Sequence, residues 1–103
     1  MYDMKNLEKF DMLEAHAPEA MKAFLVFDKA AWSDGAVPKK YKELIAVAVA
    51  MTTQCPYCIE LHVERARKLN ASDAEIAETV LAAAALRAGS AVTHGTHAMK
   101  EDR

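Results

Sequence analysis

Two cysteines three residues apart, Cys55 and Cys58, and a histidine four residues further on, His62, form the most reactive cluster in the sequence. A Cys-x-x-Cys pair at a helix start can close a disulfide across one turn, and the free N–H groups and positive dipole end there stabilise a thiolate. An ordinary thiol, with pKa about 8.5, is only a few per cent ionised at neutral pH, so each unit of depression raises the reactive fraction about tenfold until ionisation saturates. His62 shares a helical face with Cys58, one turn away, where an imidazole can take the thiol proton. The dipole argument favours Cys55 as the low-pKa sulfur; the histidine register favours Cys58.

The face that carries His62 also carries Ile59, Val63, Ala66 and Leu69, so the ring points to the core side of its helix. A ring there needs a polar partner. The preceding helix offers Glu43, followed on its own face by Ala46, Val47 and Ala50, and a carboxylate in that position is costly to bury without a proton or a hydrogen-bonded neighbour. Glutamate, thiol and imidazole facing one another across two antiparallel helices form a proton relay that can ionise one sulfur and reprotonate a leaving group. Each member also has a plainer reading. Cys55, Cys58 and His62 are three of the four ligands tetrahedral zinc requires, with His94 and His97 as candidates to complete the set; those two equally fit a solvated helix end. Tyr57, between the cysteines, fits simple packing. Glu43 fits the surface of a Lys-rich first turn beside Lys39, Lys40 and Lys42, and His62 fits a satisfied histidine at the core edge.

The elements that must hold these side chains are helical. Ala, Leu, Met, Glu and Lys are plentiful and β-branched residues are scattered, which favours an all-α fold, a compact bundle of five to six helices. A first helix is expected over about Met4 to Ala15. Pro18 opens a second that runs to about Trp32, and Ser33-Asp34-Gly35 reads as the turn that stops it. Pro38 opens a third whose stretch Leu44 to Met51 is apolar on every face, predicting burial at the bundle centre. A fourth begins at Cys55 or Pro56 and stops at Asn70, which tolerates the left-handed conformation. Ser72 with Glu75 has the form of a capping box and starts a fifth helix through Leu86. Gly89-Ser90 is expected to interrupt it before a short last helix from Ala91 to about Met99.

With 103 residues, no repeat and no linker, the sequence reads as one domain spanning 1–103. Thirteen basic against fifteen acidic residues leave a formal charge of −2, which argues against an electrostatic nucleic-acid binder. A hydrophobic fraction of 52 % argues against disorder. The longest apolar runs fall short of the roughly 20 residues that cross a bilayer, so no membrane span is expected, and the polar N-terminus shows no secretory signal. A reducing cytoplasm is the expected compartment, where a close cysteine pair does redox or metal chemistry more often than stapling. Apolar surface around helices in so short a chain predicts a homo-oligomer.

The run Lys42-Glu43-Leu44-Ile45-Ala46-Val47-Ala48-Val49-Ala50, followed by Gln54-Cys55-Pro56-Tyr57-Cys58-Ile59 and His62, resembles the alkylhydroperoxidase D branch of the carboxymuconolactone decarboxylase family. The likeness extends more loosely from Pro18 to Gly89. It implies an all-helical fold that assembles into trimers or hexamers, and a thiol-dependent peroxidase or disulfide-relay activity with no metal, haem or flavin. On matching positions the implied proton relay is Glu43, Cys58 and His62, with Tyr57 nearby and Cys55 as the partner sulfur. The implied cycle takes a hydroperoxide at Cys58, closes the Cys55–Cys58 disulfide, and needs a dihydrolipoyl or thioredoxin-like dithiol to reset it. Asn70 and Ala88 stand where relatives commonly have Gly. Decarboxylase members lack the cysteine pair, so its presence favours redox chemistry. Two alternatives accompany this reading: a disulfide carrier that passes electrons to a peroxiredoxin, and a non-enzymatic metal-binding module.

Overall fold

Prolines stand where helices begin. Pro18 and Pro56 occupy first turns, where a missing N–H costs nothing, and Pro38 is the extended residue that precedes a third helix. The structure, a computed structural model, describes residues 2–101. Among these, five α-helices follow one another: α1 (Phe10–His16), α2 (Pro18–Trp32), α3 (Lys39–Thr53), α4 (Pro56–Lys68) and α5 (Asp73–Gly95). No strand is present among the described residues. The fold is all-α, as the composition implies.

α3 organises the molecule. It packs against both α4 and α5 and buries Glu43, Leu44, Ala46, Val47 and Ala50. Val47 and Ala66 retain no accessible surface, and Leu44, Ala66 and Ala71 form a core cluster with Ile76 against it. Alanines on the facing strips let the α3 and α4 backbones approach, which brings the base of one helix within reach of the acid of the other. The expected burial of α3 on every side is corrected: Ile45 and Val49 are 52 % and 53 % exposed. Only one strip of the helix meets α4 and α5, and the rest of its apolar surface faces outward.

The helix ends follow local chemistry. α3 stops at Gln54, which adopts a left-handed conformation with φ of 58° and returns its N–H to the Ala50 carbonyl. Asn70, beyond α4, has φ of 69°, as its side chain permits. Ser72 and Glu75 make both bonds of the capping box at the start of α5. Two boundaries differ from expectation. The first segment is a 3₁₀ turn over Met4–Lys9 before α1 begins. Gly89-Ser90 does not interrupt α5, which runs unbroken to Gly95 before a 3₁₀ turn over Thr96–Ala98; a helix-interior Gly costs only about 1 kcal/mol, and the Ala-rich flanks outweigh it. As one stretch, Asp73–Ala98 is therefore long and apolar enough to cross a bilayer by length and composition alone, which shorter apolar runs do not register. Its packing on α3, which extends to the Arg87 guanidinium donating to the Thr52 carbonyl at 2.8 Å, ties it to the helical body.

The protomer is elongated, with extents of 61 × 35 × 32 Å and a radius of gyration of 17.8 Å, against about 13 Å for a compact chain of this size. α1 pairs with α2, and α2 touches α3 only lightly.

Candidate active site

Cys55 is the N-cap residue of α4 and Cys58 lies in its first turn. The two sulfurs are joined as a disulfide, with Cα atoms 5.3 Å apart. The Cys58 N–H donates to Cys55 Sγ at 3.3 Å. A sulfur thus occupies the place usually taken by a capping oxygen, where backbone donors and the dipole favour negative charge.

One turn further along α4, His62 meets Glu43 of α3. His62 Nδ1 and Glu43 Oε2 are 2.5 Å apart, and the residues are 9 % and 1 % exposed. Buried polar groups of this kind persist only when partnered, and this pair satisfies both. With Nδ1 committed to the carboxylate, Nε2 is the ring atom that can exchange a proton with a thiol. The structure therefore brings together the acid and the ring on which the expected relay depends, on the helix that carries the disulfide.

Trp32, at the end of α2, is a participant that the spacing of the sequence does not announce. Its ring packs on His62 with centroids 4.9 Å apart and planes tilted by 40°, and its Nε1–H donates to Asp28 Oδ1 at 2.9 Å. The i, i+4 relation of Asp28 to Trp32 is visible in the sequence; the crossing of α2 over α4 is not.

Tyr57 turns toward the N-terminal segment. Its hydroxyl accepts from Asn6 Nδ2 at 2.9 Å and from the Asp3 N–H at 3.4 Å, and the Tyr2 ring meets its ring edge-on at 5.0 Å. Loss of hydration and the neighbouring Glu60 carboxylate push the Tyr2 hydroxyl above its ordinary pKa. Tyr57 therefore fastens the chain's beginning to the first turn of α4. The His94 and His97 rings lie with centroids 5.3 Å apart and planes tilted by 54°. Among the described residues, no three His, Cys, Asp or Glu side chains converge as a metal site requires.

A helical body that sets a vicinal cysteine pair one turn ahead of a buried Glu–His pair defines a class, and comparison with known proteins agrees: the chain belongs to the carboxymuconolactone decarboxylase family, which it matches over residues 18–101. It is 49 % identical over 77 residues to uncharacterized protein 4 of the cox locus of Paracoccus denitrificans, covering 75 % of this chain and 69 % of that protein. An uncharacterized protein of Cupriavidus necator is 39 % identical over 72 residues, covering 70 % of this chain and 64 % of its own length. Two crystal structures share the fold. One, from Methanobacterium thermoautotrophicum, has a TM-score of 0.79 at 31 % identity and covers 85 % of this chain and 99 % of its own. The other, a carboxymuconolactone decarboxylase family protein from Legionella pneumophila in its apo form, has a TM-score of 0.72 at 39 % identity, covering 78 % and 71 %. The matched region begins at Pro18, so the segment that Tyr57 holds lies outside it.

Proposed function

We propose that this chain is a thiol-dependent hydroperoxidase of the alkylhydroperoxidase D type. The observation that carries the reading is the placement of the Cys55–Cys58 disulfide at the start of the helix whose next turn presents His62, bonded to buried Glu43. In the reduced protein His62 takes the Cys58 proton, assisted by Glu43. The thiolate attacks the outer oxygen of a hydroperoxide and the O–O bond breaks. Sulfur is oxidised by two electrons to a sulfenic acid, and the leaving alkoxide takes the proton from His62 as alcohol. The Cys55 thiol displaces the sulfenic hydroxyl as water, closing the disulfide. An external dithiol returns both sulfurs to thiols by exchange; a dihydrolipoyl or thioredoxin-like protein fits that role, and the cytoplasm supplies such reductants.

The roles of the sulfurs follow from position. Cys55, as N-cap, supports negative charge as the leaving sulfur during reduction, while Cys58 shares its face with His62. Cys58→Ser and Cys55→Ser should each abolish hydroperoxide consumption with a dithiol donor. Wild-type turnover in both variants would discard the peroxidase reading. Fast exchange with a partner dithiol, alongside negligible direct peroxide turnover in the wild type, would assign the chain as a disulfide carrier instead.

A further inference from the structure

Tyr57 stands inside the short loop that the Cys55–Cys58 bond closes, and its hydroxyl is also what holds residues 2–9 against α4. Asn6 Nδ2 donates to that hydroxyl at 2.9 Å, and the Tyr2 ring meets the Tyr57 ring edge-on. The Tyr2 hydroxyl faces the Glu60 carboxylate, one turn on from Tyr57 along α4. The segment is itself a formed element. The Asp3 side chain caps its 3₁₀ turn by accepting from the Lys5 N–H at 2.9 Å, and the Asp3 carbonyl accepts from the Asn6 N–H at 2.8 Å. Met4, Asn6 and Leu7 are half-buried while Asp3, Lys5, Glu8 and Lys9 are exposed, and in a 3₁₀ turn Met4 and Leu7 share a face.

The order of Tyr57 depends on the bond that encloses it. The first N–H groups of a helix have no acceptor within it, so first turns fray unless something ties them. Cys55, in an extended conformation, is tied to α4 by three links: the disulfide, the Cys58 N–H on Cys55 Sγ, and the Ile59 N–H on the Cys55 carbonyl at 3.0 Å. Reduction removes the covalent one. A Tyr57 with more conformations to give up then holds its partners less tightly.

We propose that residues 2–9 form a redox-sensitive strap, fastened to Tyr57 while the Cys55–Cys58 disulfide is closed and loosened when a dithiol opens it. The dithiol supplies two electrons and two protons: the S–S bond breaks, both cysteines become thiols, and the dithiol leaves as its own disulfide. Linkage is reciprocal, so the fastened strap favours the disulfide by the same factor by which the disulfide favours the strap. The inference rests on the redox cycle proposed above, though not on peroxide as its oxidant. The family match begins at residue 18, so the strap lies outside the shared helical body.

The test is hydrogen exchange of a peptide spanning residues 2–9, in oxidised protein and in protein reduced by dithiothreitol, with free thiols counted in both. Reduction should speed exchange of these amides about fivefold and leave the α3 amides around Val47 unchanged. The protein carrying both Cys55→Ser and Cys58→Ser, which cannot close the bond, should exchange at the faster rate with or without dithiothreitol. Asn6→Ala removes a bond to Tyr57 and touches neither sulfur. In a dithiothreitol redox buffer it should shift the equilibrium toward the dithiol about fivefold, the weight of one hydrogen bond, or about 20 mV for two electrons; Lys22→Ala should not. Equal or slower exchange after reduction, with both thiols counted, overturns the strap and leaves the redox cycle standing, as does an unshifted equilibrium in Asn6→Ala. A cysteine pair that never closes in solution overturns both, and negligible peroxide turnover removes the peroxidase reading alone.

Discussion

Glu43 keeps 1 % of its surface exposed and finds its hydrogen-bond partner in a ring from the neighbouring helix. Breaking such a buried pair by removing one member leaves the other without its counterpart, at a cost of about 3 kcal/mol. His62→Ala should therefore lose about that much stability on urea unfolding, and Glu43→Gln, which keeps an acceptor for the Nδ1–H, should lose less. In peroxide turnover with a dithiol, His62→Ala should be slower by about 100-fold, while chemical oxidation should still close the Cys55–Cys58 bond. A variant with unchanged turnover would remove the relay and leave the disulfide chemistry standing. The Glu43–His62 contact was legible because helical periodicity puts His62 a turn from Cys58 on the core side of its helix, where a ring needs a polar partner, and the preceding helix offers Glu43; periodicity alone left Glu43 a place on the surface as well. Trp32 and the Asn6 grip on Tyr57 were not, because they depend on where α2 and the N-terminal turn cross α4, and no local pattern sets those crossings. Tyr57→Phe removes the shared hydroxyl, so limited proteolysis should cut the first residues sooner while leaving the helical body intact.

At the level of elements, the capping box before α5 gives a stability test and a pH test. Ser72→Ala should cost about 1 kcal/mol on thermal or urea unfolding. The Ser72 backbone N–H and then the Lys40 ammonium hold the Glu75 carboxyl below its usual range. A carboxyl with a depressed folded pKa contributes stability above its unfolded value, about 4.3, and loses it as pH falls through the lower folded value. The melting temperatures of the wild type and Glu75→Gln should accordingly differ at neutral pH and converge on acidification. Gln54 holds a left-handed backbone at the end of α3, so Gln54→Gly should raise stability by roughly 0.5–1 kcal/mol. Start signals such as Pro18, Pro56 and Ser72-x-x-Glu75 were readable because caps act within one turn. The continuity of α5 through Gly89-Ser90 was not, because a single glycine is a weak stop when alanines flank it. Gln54 gave no sign, since its conformation is imposed by the turn that must bring Cys55 to the head of α4.

Taken as a whole, the protomer leaves Tyr41, Ile45 and Val49 exposed on α3 and Leu81, Leu86 and Val92 exposed on α5, and large apolar side chains exposed together are what a contact surface offers. Its length and its lightly held arm belong with this exposure, because helices that pack on neighbours need not fold back on their own chain. Light scattering should read the wild type as a trimer or hexamer, and Ile45→Lys or Leu86→Lys should shift it to smaller species. A wild-type monomer at working concentration would refute the assembly. The same geometry gives Trp32 two duties, since it ends the arm and roofs His62. Swinging that arm aside would wet the imidazole, so if copies of the chain assemble against α2 they also keep water off the proton pair, and dilution of that assembly should loosen the roof before it melts the helices.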